Sequence, residues 1–546
     1  MSRDIYQAAD PNLAPGDARC PGPSARDIIA RDGDQPPAPL LEERYEYLGN
    51  DDIPWDRYTS QAFYDLEMEK MWTKTWQWAC REEHVPNAGD YYVYDIGPYS
   101  VIVIRGDDLC IRAFVNSCPH RGMQFCEAGD QGSHKQFLRC PFHGMSWHLD
   151  GSLREIPCRW DFPHVTDENF KLIEIPSDSW GGFIFINLDR DAQPLNDYLE
   201  VLPAHFANWP LENRYVVLHT EKVLPGNWKM CMEGFLEAYH VLATHPEGLR
   251  ASSWANTQYD VFGKNVSRFL QNLSTGNPHL DQTEEEIFEV LGYDPKDLPE
   301  GKSAREGHAD HLRKTMGEAF GVDLSNTSTS IMLDSIEYHL FPNACFFPGI
   351  QIPLIYRFRP TSLGTCVHEI LILEPVPDES SRKPPAVAQR LKIDQSYKEI
   401  EGFSLAHVLD QDTENFHRQW AGMNASIKKG QKAPFDGILL NKKAEATITA
   451  KRESAVKVCE IDKDYKLKKL KAQCDFDKRF LSIEKITAEG KHESLMKLKN
   501  AEVKRLEKAL DKATKPDYSR FWFVGGFVAG VGLSIGIFYA AAQAGK

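Results

Sequence analysis

No apolar run occurs in the first 42 residues; the opening stretch, MSRDIYQAADPNLAPGDARCPGPSARD, is polar and rich in Pro and Gly. It lacks the hydrophobic region of a secretory signal, so a cytoplasmic body with reduced thiols is expected. Cysteine is sparse, with 12 in 546 residues at irregular spacings, which is too thin for a disulfide framework. Positive charge is in deficit. Lys+Arg number 63 against 79 Asp+Glu, a net of −16, and this argues against nucleic acid as a partner because phosphate binding needs concentrated Lys and Arg. No Gly-x-Gly-x-x-Gly follows a strand-like segment, so the chain is expected to hold no nicotinamide or flavin of its own. What remains is ordinary globular composition, 42% hydrophobic and 26% charged.

Along the chain, residues 1–42 show no apolar periodicity and are expected to be disordered. A helical segment is predicted over 43–75, where Phe63, Leu66, Met68, Met71 and Trp72 recur at roughly helical steps. Short runs separated by Gly and Asp turns (YYVYDI, SVIVIRG, LCIRAFVN, FLRC, GFIFINL) predict a small antiparallel β domain over 76–185. Residues 186–430 mix helical and strand patterns and read as an α+β domain. Past a junction at 431–440 the composition changes. Residues 441–520 carry 22 Lys+Arg against 14 Asp+Glu, and apolar residues at three- and four-residue steps over 441–515 predict a charged helix, either a coiled coil or a lone stalk. An uncharged run of 22 residues, 521–542, is long enough to span a hydrocarbon core of about 30 Å. Lys512, Lys515 and Arg520 precede it and only Lys546 follows, so a membrane anchor with the body on the cytoplasmic side is expected. A buried core helix is the alternative.

Two short elements carry the strongest chemical signal. NSCPHRGMQF and LRCPFHGMSWHLDGSL supply Cys118-x-His120 and Cys140-x-x-His143. A Rieske [2Fe–2S] cluster needs two thiolates on one iron and two imidazoles on the other, and two loops each giving one Cys and one His meet that demand. Zinc is the competing ligand. Zinc fingers, however, pair Cys with Cys and His with His along the chain, whereas each loop here mixes them.

With these motifs the chain resembles the large (α) subunit of the Rieske non-haem iron ring-hydroxylating oxygenases, from about residue 43 to 430. The resemblance implies a small antiparallel β Rieske domain followed by a helix-grip-like α+β catalytic domain. It also implies a mononuclear Fe(II), O2 and a small organic substrate, possibly aromatic. Electrons would come from a separate ferredoxin or flavin reductase, and the assembly would be a homotrimer, possibly with a β subunit. Nineteen residues separate His120 from Cys140, slightly more than the family's habit, which predicts a longer hairpin at 128–136.

Downstream, GNWKMCMEGFLEAYHVLATHPE offers Glu237, His240 and His245. On a helix Glu237 and His240 share one face, and Pro246 would end that helix near His245. Two neutral imidazoles and one carboxylate form a facial triad for Fe(II) with open positions. The resemblance makes His240 and His245 the iron ligands and places Glu237 between cluster and iron, coupling the two. It selects Asp412 from Asp410, Asp412 and Glu414 as the third ligand, with Asp410 as runner-up. Pocket residues are expected around 232–242 and among the strands at 335–358, which include Phe341, Phe346 and Phe347. The tail loosely resembles membrane-anchored helical proteins of phages. This leaves a second reading, a membrane-anchored fusion or scaffold whose Rieske domain is redox-competent but whose oxygenase site is silent.

Overall fold

The computed structural model describes residues 22–426 except 50, 134 and 135, together with 10, 12–14, 430, 431 and 504. The chain divides into two units, 1–446 and 447–546. The predicted anchor at 521–542 lies outside the described residues, as does the charged helix at 441–515 apart from residue 504. Among the described residues no helix is long and apolar enough to cross a membrane.

The β domain is built on a five-stranded antiparallel sheet in the spatial order Glu174–Ile175, Ile111–Val115, Tyr99–Arg105, Asp90–Ile96, Gln131–Ser133. Its central hairpin turns at Gly97, whose φ of +53° suits glycine and whose missing Cβ leaves room for the Met68 sulfur. The extra length expected at 128–136 forms the edge strand Gln131–Ser133, which pairs with Asp90–Tyr92. Two three-stranded sheets complete the domain: Ser177–Trp180, Phe183–Ile186 and Gln77–Arg81, then Leu138–Arg139, Ser146–Trp147 and Leu153–Glu155.

The α+β domain is organised by an eight-stranded sheet in the order Gln258–Val261, Val266–Gln271, Ser335–Leu340, Ala344–Phe346, Leu354–Ser362, Thr365–Pro375, Arg214–Leu224, Gln389–Leu391. All pairings are antiparallel except the last. Side chains alternate across it, as the pleat requires. Ile336, Tyr338, Leu340, Ile355 and Leu371 enter one core, whereas Tyr356, Phe358 and Ile370 enter the other, with Trp72, Trp228 and Phe416. The second core also takes Ile96, Val101 and Ala113 of the β domain, so the two domains share one apolar interior.

Part of the N-terminal segment expected to be disordered is ordered. Residues Ala25–Arg31 form a helix with a complete Ser24/Asp27 capping box, and Ala38–Leu41 a 3-10 turn. Ile28, Ile29 and Leu40 are buried, and Asp32 makes a buried ion pair with Arg305 at 2.8 Å. The segment looks polar because its order comes from packing on a distant helix, Ala304–Phe320, rather than from its own periodicity.

Candidate metal centres

The two Cys–His loops share one backbone frame. Cys118 N–H donates to Met123 O at 2.8 Å and Gly122 N–H to Cys118 O at 2.9 Å; Cys140 N–H donates to Met145 O at 2.8 Å and Gly144 N–H to Cys140 O at 3.0 Å. Gly122 and Gly144 sit at φ +73° and +75°, which closes each loop tightly behind its ligands. The sequence frame CPxxGM occurs twice, with histidine at its third position in one loop and its fourth in the other. Cys118 and Cys140 are buried free thiols, while His143 is exposed and His120 partly so. The imidazoles converge, Nδ1 to Nδ1 at 3.1 Å. Burial raises the Cys118 thiol above its ordinary range, and the backbone N–H groups of His120 and Arg121 directed at it oppose that by favouring the thiolate. Burial, followed by the facing His143, holds His120 toward the neutral form a metal ligand needs. Two thiols and two neutral imidazoles brought together in this way fit a Rieske cluster.

The second centre is carried by the segment after Trp228–Glu233. Asn227-Trp228-Lys229 anchors it. Asn227 caps the helix and donates to Leu363 O at 3.0 Å; Trp228 meets Trp72 edge-on at 5.1 Å; Lys229 pairs with buried Glu67 at 2.7 Å. The single helix expected through Glu237 and His240 is not formed. It stops at Glu233, and one further turn, Val241–Thr244, leads into His245. Side chains take the backbone donors that a helix would satisfy internally: Tyr259 Oη accepts from Ala238 N–H at 3.0 Å and Glu237 Oε2 from His240 N–H at 3.1 Å.

His240, His245 and Asp412 place their donor atoms within 4.8 Å of one another. Asp412 Oδ1 lies 2.7 Å from His245 Nε2 and 3.3 Å from His240 Nε2. Each ring is held from behind, His240 Nδ1 by Glu237 Oε1 at 2.8 Å and His245 Nδ1 by Gln411 Oε1 at 2.9 Å. Acceptors at both Nδ1 atoms keep their protons there and turn both Nε2 atoms toward the shared point, the usual support of metal-binding histidines. Burial disfavours charge on His240, but its hydrogen bonds to Asp412 and Glu237 outweigh this and raise its pKa to about 10. Burial raises Asp412 and the two imidazoles lower it, with a net fall. The site favours positive charge where Nε2, Nε2 and Oδ1 meet, so the donors fit a divalent iron.

Asp410, the runner-up, points elsewhere. It pairs with Lys222 at 3.4 Å and accepts from Tyr397 N–H at 2.9 Å. Phe346 packs in the far core against Phe183 and Trp180, away from the triad, whereas Phe347 belongs to the near core. Phe341 O accepts from Tyr198 Oη at 2.7 Å. Gln411's hold on His245 was missed by sequence reasoning; its position beside Asp412 was the only signal.

Residues 75–166 match the Rieske [2Fe-2S] domain family, and residues 204–445 the catalytic domain of the ring hydroxylating alpha subunit. The chain thus carries a Rieske domain and a ring-hydroxylating alpha-subunit catalytic domain, the two domains of which a [2Fe–2S] cluster and a mononuclear iron are characteristic. The carnitine monooxygenase oxygenase subunit of Escherichia coli K12 is 31% identical over 196 residues, 36% of this chain and 52% of that protein. The biphenyl 2,3-dioxygenase subunit alpha of Rhodococcus jostii RHA1 is 32% identical over 314 residues, 54% and 63% of the two chains. The chain thus spans about half the length of the carnitine monooxygenase subunits it matches. A quaternary ammonium Rieske monooxygenase in complex with L-carnitine shares the fold at TM-score 0.51 and 17% identity, over 76% of this chain and 92% of that one. A naphthalene 1,2-dioxygenase bound to phenanthrene does so at TM-score 0.51 and 18% identity, over 71% and 84%.

Proposed function

We propose that the protein is a Rieske non-haem iron oxygenase that hydroxylates, or oxidatively demethylates, a small organic substrate. The observation that carries this reading is the convergence of His240 Nε2, His245 Nε2 and Asp412 Oδ1, with each imidazole steadied at Nδ1. A mononuclear iron bound there supplies dioxygen activation, and a cluster on Cys118, His120, Cys140 and His143 supplies electrons drawn from a ferredoxin or flavin reductase. The protein's own part is positioning. Glu237 and Gln411 orient the ligand rings, and Lys229 and Asn227 fix the segment that carries them. Phe142, 55% exposed, lies with its ring centroid 3.9 Å from that of exposed His143, and Met123 is exposed in the other loop. An accessible, partly apolar rim of this kind suits contact with an electron donor or with a neighbouring subunit of a homotrimer.

The test is iron and sulfide analysis of the purified full chain, with oxygen uptake measured after chemical reduction in the presence of substrate. About three irons and two sulfides per chain are expected. Replacing His240 and His245 by Ala should remove one iron and oxygen uptake while sparing the cluster spectrum. Unchanged iron content would refute the mononuclear site; full iron with no oxygen uptake on any substrate would favour the silent-scaffold reading.

A further inference from the structure

On the sheet face covered by the iron-ligand segment, one deeply buried acid has no cation. Glu337 lies in the strand Ser335–Leu340, where Ile336, Tyr338 and Leu340 point into the opposite core. It is 2% exposed. Tyr356 Oη donates to its Oε1 at 2.6 Å and the Cys345 thiol is directed at it; among the described residues no Lys, Arg or His shares its charge. By contrast Glu67, Asp260, Asp334 and Glu369, equally buried, pair with Lys229, Arg268, Arg305 and Arg357. An uncompensated buried carboxylate is costly, so its retention needs a reason.

Its surroundings supply one. The Tyr356 ring lies 5.6 Å from Phe235, two residues before Glu237, and 5.7 Å from Phe347. Tyr259, whose hydroxyl holds Ala238, lies within the fields of both Glu237 and Glu337. Glu337 therefore sits between two apolar clusters, one around Phe235 and Tyr356 and one around Ala238, Trp254 and Phe269, which flank the ligand segment. His368, stacked on Phe358 at 4.3 Å and 5.4 Å from Tyr356, leaves its Nε2 buried without a hydrogen-bond partner on the same face. A carboxylate set among aromatic rings is what a desolvated organic cation requires, since the charge and the ring faces both attract it.

We propose that Glu337 is the counter-charge of the substrate pocket, which takes a small organic cation, an amine or quaternary ammonium, against the rings of Tyr356 and Phe347. The inference rests on the oxygenase reading for its purpose, but binding itself does not need iron. The test is calorimetric titration of the full chain with tetramethylammonium, choline and benzyltrimethylammonium, and with 3,3-dimethylbutan-1-ol as choline's neutral isostere. At least one cation should bind saturably, more tightly than the isostere. Glu337→Gln should weaken it roughly thirtyfold or more, the scale of removing one partner of a buried charge pair, and leave the isostere unaffected. No binding by any of the three cations, or equal binding to wild type and Glu337→Gln, would overturn the proposal. Should the variant fail to fold, the wild type alone decides. Burial raises the Glu337 carboxyl to about 7, so cation binding at about pH 6 should release protons, read from heats in buffers of different ionisation enthalpy. Binding without proton release would overturn it. Lost cation binding with normal iron content sinks this inference alone, and absent mononuclear iron sinks the functional reading alone.

Discussion

Two aspartates separated by one residue have different duties, because a helix turns their side chains about 200° apart. Asp412 faces His240 and His245, and Asp410 faces Lys222 and Ser396. Asp412→Ala should therefore lower the iron content by about one per chain with the cluster spectrum intact. Asp410→Ala should retain that iron but cost about 3 kcal/mol of stability by leaving Lys222 buried and unpaired, measurable by denaturant titration. The reverse pattern would reassign the ligand. Gln411 offers a finer check. Gln411→Leu removes the acceptor behind His245 Nδ1 and should weaken iron binding about 10- to 100-fold without changing the cluster. An unchanged iron affinity in competition with a chelator would show that the ring needs no such support.

The elements around the site are stabilised by partners far away in the chain. The helix Ala25–Arg31 is too short to persist alone, and the segment depends on the Asp32–Arg305 pair and on burial of Ile28, Ile29 and Leu40. Asp32→Ala leaves Arg305 its second partner, Asp334, but removes the segment's buried ion pair, so it should cost about 1 kcal/mol and make the segment before residue 42 sensitive to limited proteolysis. A variant that melts at the wild-type temperature and resists the protease would contradict this. The iron segment shows the same dependence. Gly234 caps the helix after Glu233, and beyond it Tyr259, from a strand distant in the chain, and the Glu237 carboxylate take the donors of Ala238 and His240, so the helix does not resume before Val241.

For the molecule as a whole, four largely buried histidines lower stability in acid. Burial depresses His84 and His368 to about 3, and His308 and His339 to about 4, from an ordinary 6.5. The unfolded chain protonates them as pH drops below 6.5 while the native state does not, so the unfolded state binds more protons and stability falls with pH in that window. Each should contribute about 1.4 kcal/mol per pH unit between its two pKa values. Melting temperature followed by calorimetry should decline steadily from about pH 6.5 to 4.5, and a flat profile would show these rings protonated in the native state. The domain pair is held together at the same scale. Arg357 pairs with Glu369 and donates to Trp78 O and to Ala79 O, while Arg359 donates to Asp95 O at 3.1 Å, so sheet and β domain share one electrostatic clamp as well as one core.

The amino-acid sequence by itself determined the proposed cluster ligands, because Cys118 and His120, and Cys140 and His143, lie two and three residues apart in loops whose Pro and Gly residues set the backbone. It also determined the neighbourhood of His240 and His245 for the same reason of short range. The third proposed iron ligand needed a likeness to known proteins, since Asp412 meets His245 across 167 positions of chain. Only the tertiary structure decided what Asp410 and Gln411 do, where the iron helix breaks, why residues 24–41 are ordered, and that Glu337 is buried without a cation. Those facts depend on which groups packing leaves paired or unpaired, and residue type or periodicity does not encode that locally.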